Sequence, residues 1–196
     1  DRIANQLNNN TNQYRLAAAA YLLLSANPFT YYGEEIGMAA GANLQADASL
    51  RTPMSWNNDA VTAGFTSGNN PFRGLSANST TNNVAMQLSA PESLYNFYAD
   101  LYALRQANSV IASGNKTALS QANDEVLVWK SQSSDTTLVI ALNLSAQAVS
   151  NHSVNVGMMN TSFTNLYDLM GDTTSSLLSG SSGQLSLSLP AYGIQV

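Results

Sequence analysis

The sequence has no cysteine in 196 residues, which excludes disulfides, thiol chemistry and cysteine-ligated zinc. It says little about the compartment. A single histidine, His152, excludes a multi-histidine metal site and a histidine-based pH switch. It lies in the polar run Ser150-Asn-His-Ser153 and is expected to be solvated. Charge is scarce. Only 10% of residues are charged, against about a quarter in ordinary globular proteins. The net charge is −5 without a Lys/Arg cluster, which argues against nucleic acid and anionic membrane as partners. Long apolar runs are missing too. Leu16 to Ala26 is interrupted by Tyr21 and Ser25 and falls short of the ~20 residues of a membrane span. No signal peptide is read, and the chain opens on Asp1-Arg2 without an initiator Met, as a piece of a longer chain would.

Asn, Ser, Thr and Gln fill the polar surface instead. Such a surface suits neutral carbohydrate, whose hydroxyls need hydrogen bonds and stacking rather than charge. Residues 12–26 read as a helix capped by Thr11 or Asn12, apolar on nearly every side and therefore buried. Pro28 stops it, and Pro28-Phe-Thr-Tyr-Tyr32 then reads as a short strand ended by Gly33. Helix followed by buried strand is one turn of an α/β unit. Residues 37–90 read as a long irregular region, with Trp56, Phe65 and Phe72 expected to pack parts of it down. Residues 91–107 read as a second helix, with Pro91 at its first position and an apolar stripe of Leu94, Phe97, Tyr98, Leu101 and Leu104. From about 109 the period changes to two. Val126–Trp129, Leu138–Leu142, Ser153–Val156, Phe163–Leu169 and Leu185–Leu189 read as strands separated by turns, the pattern of an antiparallel sandwich.

Several motifs follow one another in a fixed order: Pro28-Phe-Thr-Tyr-Tyr-Gly-Glu-Glu-Ile-Gly-Met38, Leu50-Arg-Thr-Pro-Met-Ser-Trp56, Ala63-Gly-Phe-Thr66, Asn70-Pro-Phe72, Asn83-Val-Ala-Met-Gln87, Ser93-Leu-Tyr-Asn-Phe-Tyr98 and Leu189-Pro-Ala-Tyr-Gly193. Each is weak alone. Together, spanning essentially the whole chain, they resemble the C-terminal part of the α-amylase family of (β/α)8 glycoside hydrolases. The resemblance implies a fold of two parts: residues 1–108 as the last strand and two helices of the TIM barrel, and residues 109–196 as an all-β antiparallel sandwich of Greek-key type. Phe72 stands where the family usually has Trp.

The resemblance also bears on the chemistry. Asp1-Arg2-Ile3 is similar to the end of the family's N-H-D-Q-D-R-I/V segment, so the family's third catalytic carboxylate falls just before Asp1; only if the start aligns as a shorter N-H-D-R form is Asp1 that carboxylate. The nucleophile and general acid lie further upstream, and this chain alone is expected to be inactive. Glu34 and Glu35 are no substitute pair, because neighbours at a strand end tend to face opposite ways. Arg51 and Glu34 are the substrate-side candidates. For Arg51, a loop-pinning ion pair competes with a sugar contact. For Glu34, a loop-fixing hydrogen bond competes with shaping the pocket. Trp56 is expected to be a buried loop anchor, the alternative being stacking on a sugar. Relatives that trim glucose from chain ends often carry an arginine four residues before Arg51, where this sequence has Asp47; that departs from an end-trimming pattern.

The implied function is a share in a secreted or periplasmic retaining enzyme that cleaves α-1,4 bonds of starch-type glucans, most simply an endo-acting α-amylase. An α-glucosidase or transglycosylase on the same scaffold, or a non-catalytic carbohydrate-binding module, are the alternatives. No cofactor is expected in this chain, and the resemblance leaves room for calcium in the full-length enzyme. The expected partners are an α-glucan or maltooligosaccharide and either the N-terminal part of the barrel or a second copy of the chain.

Overall fold

A computed structural model describes residues 1–120, 125–157, 161–162, 179–180 and 183–196. The chain divides into two compact units, one of residues 1–15 with 29–100, the other of residues 16–28 with 101–196. The helical elements are α1 (Ile3–Gln6), α2 (Thr11–Leu24), α3 (Ala46–Leu50), α4 (Val84–Leu88), α5 (Leu94–Ala107) and α6 (Val110–Ser113), with a 3-10 turn at Glu34–Ile36.

Both long helices start and stop for local reasons that correct the sequence reading. The cap of α2 is Asn10, whose Oδ1 accepts the Gln13 N–H at 3.1 Å, so the helix begins at Thr11 rather than at residue 12. It stops at Leu24, ahead of Pro28, which biases the preceding backbone away from helical angles. Its C-terminal carbonyls are taken up by one side chain: the Arg105 guanidinium donates to Leu22 O, to Ser25 O at 3.0 Å and to Ala26 O at 3.0 Å. That satisfies acceptors every helix end leaves open. α5 begins at Leu94, not at Pro91, because Ser93 supplies the cap by accepting the Asn96 N–H at 3.1 Å. Its stripe of Leu94, Phe97, Tyr98, Leu101 and Leu104 is buried.

In the first unit the expected strand at Pro28–Tyr32 does not form; these residues have no ladder partners among the described residues, and Tyr32 lies in a turn. A strand exists only by pairing with a neighbour, and among the described residues none pairs with this one. Phe29 is 93% exposed. The region 37–90, read as irregular, holds the short helices α3 and α4. Asn83 caps α4 by accepting the Met86 N–H at 3.1 Å. Phe72, expected to pack down, is 98% exposed. It follows the polar run Gly68-Asn-Asn-Pro71, and the Arg73 guanidinium carbon lies 5.9 Å from its ring centre.

The second unit carries antiparallel sheets. Strands β1 (Asn115–Ala118), β2 (Val126–Gln132), β3 (Thr137–Asn143) and β8 (Ile194–Gln195) form one sheet in the order β1-β2-β3-β8. β4 (Val149–Asn155) pairs with β7 (Gln184–Leu189), and β5 (Thr161–Ser162) with β6 (Ser179–Gly180). Four expected strands are found within a few residues of their limits. The fifth, Phe163–Leu169, lies outside the described residues. β1 escapes the sequence reading because it lies at a sheet edge with no apolar alternation, and β8 because it is two residues long. Alternation is clearest in β7, where Leu185, Leu187 and Leu189 point inward and Gln184, Ser186 and Ser188 outward. Those leucines join Val126, Val128, Ala141, Val154 and Val156 in one buried cluster drawn from β2, β3, β4, β7 and the residue after β4. Each large member contributes about 1.5–3 kcal/mol on burial.

Asn143 closes this unit. Fully buried, it donates from Nδ2 to Gln147 O and Pro190 O, each at 2.7 Å, and accepts the Ser145 N–H at 2.9 Å. Asn143→Ala removes all three bonds and leaves two backbone carbonyls without this donor. A loss of about 2–4 kcal/mol is expected in denaturant unfolding; a loss below about 0.5 kcal/mol, the range of an ordinary surface change, would show that the turn is held some other way.

Candidate functional site

The candidate site is built around Arg2 in the first unit. Only 3% exposed, Arg2 reaches across to two distant segments. Its Nη1 donates to Tyr32 O and its Nη2 to Leu50 O, the latter at 2.7 Å. The guanidinium carbon lies 4.7 Å from the ring centres of both Tyr31 and Tyr32, within the range where a cation is drawn to an aromatic face. The Tyr32 hydroxyl in turn donates to Thr52 O at 2.8 Å. Burial pushes the pKa of that phenol above its ordinary value, and the nearby Arg2 charge partly offsets this. The segment ending at Tyr32 and the loop Leu50–Trp56 are thus fastened together at two carbonyls of the loop, one on each side of Arg51.

The Arg51 side chain has a different partner. It forms an ion pair with Asp47 at 2.9 Å, one helical turn back, with 60% and 67% of the two side chains exposed. An exposed pair of this kind contributes little to stability, about 0.3–0.5 kcal/mol. Trp56, expected as a buried anchor, is 50% exposed. Its backbone N–H bonds Ala63 O at 2.8 Å, closing a loop in which Asp59 accepts the Val61 N–H at 2.9 Å and the Thr62 N–H at 2.7 Å. The backbone hydrogen bonds from Thr62 and Val61 hold the Asp59 carboxyl below its ordinary pKa. A depressed folded-state pKa means that the turn's contribution is present above the unfolded carboxylate range and is lost as pH falls through the folded value. Amide NMR shifts of Val61 and Thr62 are therefore expected to hold steady at neutral pH and to move on acidification, below the pH at which an unstructured aspartate titrates; shifts moving together at or above that pH would contradict it.

Glu34 and Glu35 occupy the first two positions of the 3-10 turn that follows Gly33. Gly33 has φ 81°, and a Cβ there would come within 2.3 Å of Met38 Sδ, so the turn requires glycine. What fixes the following loop is a set of amide side chains. Asn78 accepts the Ala39 N–H at 2.9 Å and donates to Gly37 O at 2.9 Å. Asn82 and Gln87 both donate to Ile36 O, at 3.1 and 2.8 Å. Asn5 accepts the Ala40 N–H at 2.7 Å. Glu34 and Arg51 thus both sit beside backbone fastened by Arg2, Arg51 in the loop itself and Glu34 two residues after Tyr32. Asp1 is exposed. A cavity of about 200 Å³ in this unit is lined by Tyr14, Asn82, Gln87 and Leu94 among others, but not by Glu34 or Arg51. It is smaller than the ~300–1,000 Å³ of ordinary ligand pockets. No group of three or more His, Asp or Glu positioned for a metal occurs among the described residues, and none of their helices is long and apolar enough to cross a membrane.

Sequence reasoning missed Arg2, Tyr32 and Asn78, because a hydrogen bond to a carbonyl far along the chain leaves no local pattern. The scarcity of charge was the available signal: with seven Lys and Arg in the whole chain, each buried arginine has a specific task.

Comparison with known proteins adds to this geometry. The family model described as "Alpha amylase, catalytic domain" matches residues 1–114. Alpha-amylase SusG of Bacteroides thetaiotaomicron is 35% identical over 124 residues, which cover 63% of this chain and 17% of that protein. Trehalose synthase/amylase TreS of Mycolicibacterium smegmatis is 34% identical over 134 residues, 65% of this chain and 22% of that protein. Among solved structures, an alpha-amylase from H. orenii superposes with a TM-score of 0.73 at 25% identity, over 99% of this chain and 37% of that one. The chain therefore spans about a fifth of the length of the curated relatives it matches.

Proposed function

The chain belongs to the α-amylase family, and on that premise we propose that it is the C-terminal part of a retaining glycosidase that cleaves α-1,4-glucosidic bonds in starch-type glucans by endo action. In this reading residues 1–108 complete the (β/α)8 barrel and residues 109–196 form a β-sandwich domain. The observation that carries the reading is the fastened loop Leu50–Trp56: its backbone is clamped on both sides of Arg51 while the Arg51 and Trp56 side chains stay exposed. A fixed backbone that presents a planar cation and an indole suits a neutral sugar, through hydroxyl bonding and face stacking. Active sites of this barrel type lie at the C-terminal ends of the strands, and this loop follows the segment read as the last strand.

Arg51 and Glu34 are assigned the substrate side. The nucleophile and the general acid are assigned to the part of the enzyme outside this chain, as is any calcium. Secretion or a periplasmic location follows from a polymeric substrate. The enzyme's partners are a maltooligosaccharide or longer α-glucan and the remainder of its own barrel. TreS, whose name couples synthase with amylase, favours a second reading, transglycosylation or isomerisation on the same scaffold. A stand-alone binding module fits less well, since Trp129 is buried and Tyr192 half-buried. The test is to incubate the full-length protein with soluble starch, maltoheptaose, isomaltose and maltose and to separate the products. Internal cleavage of starch and maltoheptaose is expected. Conversion of maltose to another disaccharide without shortening of the longer glucans would favour the second reading, and no action on any of the four would overturn both.

A further inference from the structure

We propose that Arg2 is a positioning residue for Arg51, acting through the backbone that flanks it; the inference rests on the glycosidase reading above. Arg2 holds Leu50 O, immediately before Arg51, and Tyr32 O. Tyr32 holds Thr52 O, immediately after Arg51, through its own hydroxyl. Arg2 is also packed over the rings of both Tyr31 and Tyr32, so its guanidinium fixes the very ring whose hydroxyl makes the second bond. The two bonds on either side of Arg51 thus form one unit that starts at Arg2. Among the described residues the ion-pair partner of Arg51 is the exposed Asp47, and an exposed pair holds a side chain weakly, so the fixed backbone limits where Arg51 can reach.

Stability alone does not account for this use of Arg2. Its Nε is buried without a hydrogen-bond acceptor among the described residues, and a buried donor left open is a cost rather than a gain. Thr52 Oγ1 and Ser55 Oγ, in the loop it fastens, are likewise buried without partners among the described residues. The arrangement gives instead two carbonyls held by a rigid planar fork. Lysine, a flexible point charge, cannot span two acceptors while stacking on two rings.

The test is a pair of double-mutant cycles in the full-length enzyme, read as kcat/KM on maltoheptaose. Arg51→Ala is expected to lower kcat/KM about tenfold, the size of one lost charge-assisted contact, and chiefly through KM. Arg2→Lys and Tyr32→Phe are each expected to lower it by several-fold in the wild-type background, and to have an effect below about twofold when Arg51 is already alanine. A general loosening of the fold would not depend on whether Arg51 is present. Full additivity in both cycles, or no effect of Arg51→Ala, overturns the proposal. Should Arg2→Lys not fold, the Tyr32→Phe cycle decides, because that change removes one hydroxyl and keeps the ring. The failure of the glycosidase reading is a separate result: wild-type enzyme that does not cleave maltoheptaose.

Discussion

The 196-residue chain on its own is expected to release no measurable sugar from starch or from a chromogenic maltoside. Retaining hydrolysis of a glycosidic bond needs two carboxyl groups about 5–5.5 Å apart on either side of it. Glu34 and Glu35 are consecutive in a 3-10 turn, and at about three residues per turn their side chains leave the axis roughly 120° apart, so they do not converge on one bond. Asp1 is exposed and, even read as the family's third carboxylate, has neither nucleophile nor acid beside it. Losing nucleophile or acid from a hydrolase costs on the order of 10⁴–10⁶ in kcat, which puts the chain below ordinary detection. The measurement is reducing-sugar release by chain purified free of any longer form. Turnover within tenfold of that of the full-length protein would mean that the catalytic groups lie in these residues after all.

The second large effect is a contrast in hydrogen exchange within one molecule. The amides of Ile140 to Leu142 belong to β3, which lies between β2 and β8 and whose inner residues are buried. Phe29 to Tyr32 belong to no ladder among the described residues, and Phe29 is almost fully in water. Exchange at Phe29, Tyr31 and Tyr32 is expected to be about a thousandfold or more faster than at Ile140 and Leu142, the span between local opening and unfolding of a core strand. In the full-length protein the barrel proposed above would pair this segment on both sides, and the same amides should slow sharply. Strong protection of Phe29 to Tyr32 in a chain shown by light scattering to be monomeric would contradict this.

Residues 28–32 also mark the limit of what was legible in the sequence. Their aromatic and β-branched composition suits a strand, but pairing is a property of the neighbours, and none is available among the described residues. By contrast, β2, β3, β4 and β7 were readable because each finds its partner within the chain, and β7 writes the inside–outside alternation directly in Leu185, Leu187 and Leu189. Helix existence was readable from the stripe of α5, while its start was not: Pro91 suits a first turn, but the hydroxyl of Ser93 is what accepts the Asn96 N–H. The wealth of Asn and Gln was read as surface polarity. Some of it holds backbone instead: exposed Asn5 and half-buried Asn78, Asn82 and Gln87 bind the Ile36–Ala40 backbone, and buried Asn143 binds the closing turn. At the candidate site Arg51 and Glu34 were singled out by motif, whereas the residue that fastens their backbone, Arg2, was visible only in three dimensions.

The central claim is that these residues belong to a retaining enzyme acting on α-1,4 glucan bonds, and the anomeric form of the first product tests it most directly. Proton NMR of the full-length protein acting on maltoheptaose, recorded before mutarotation equilibrates the new chain ends, should show the α-anomer accumulating first, because double displacement through a covalent intermediate retains configuration. The β-anomer appearing first would require a water between more widely separated carboxylates and would contradict the account.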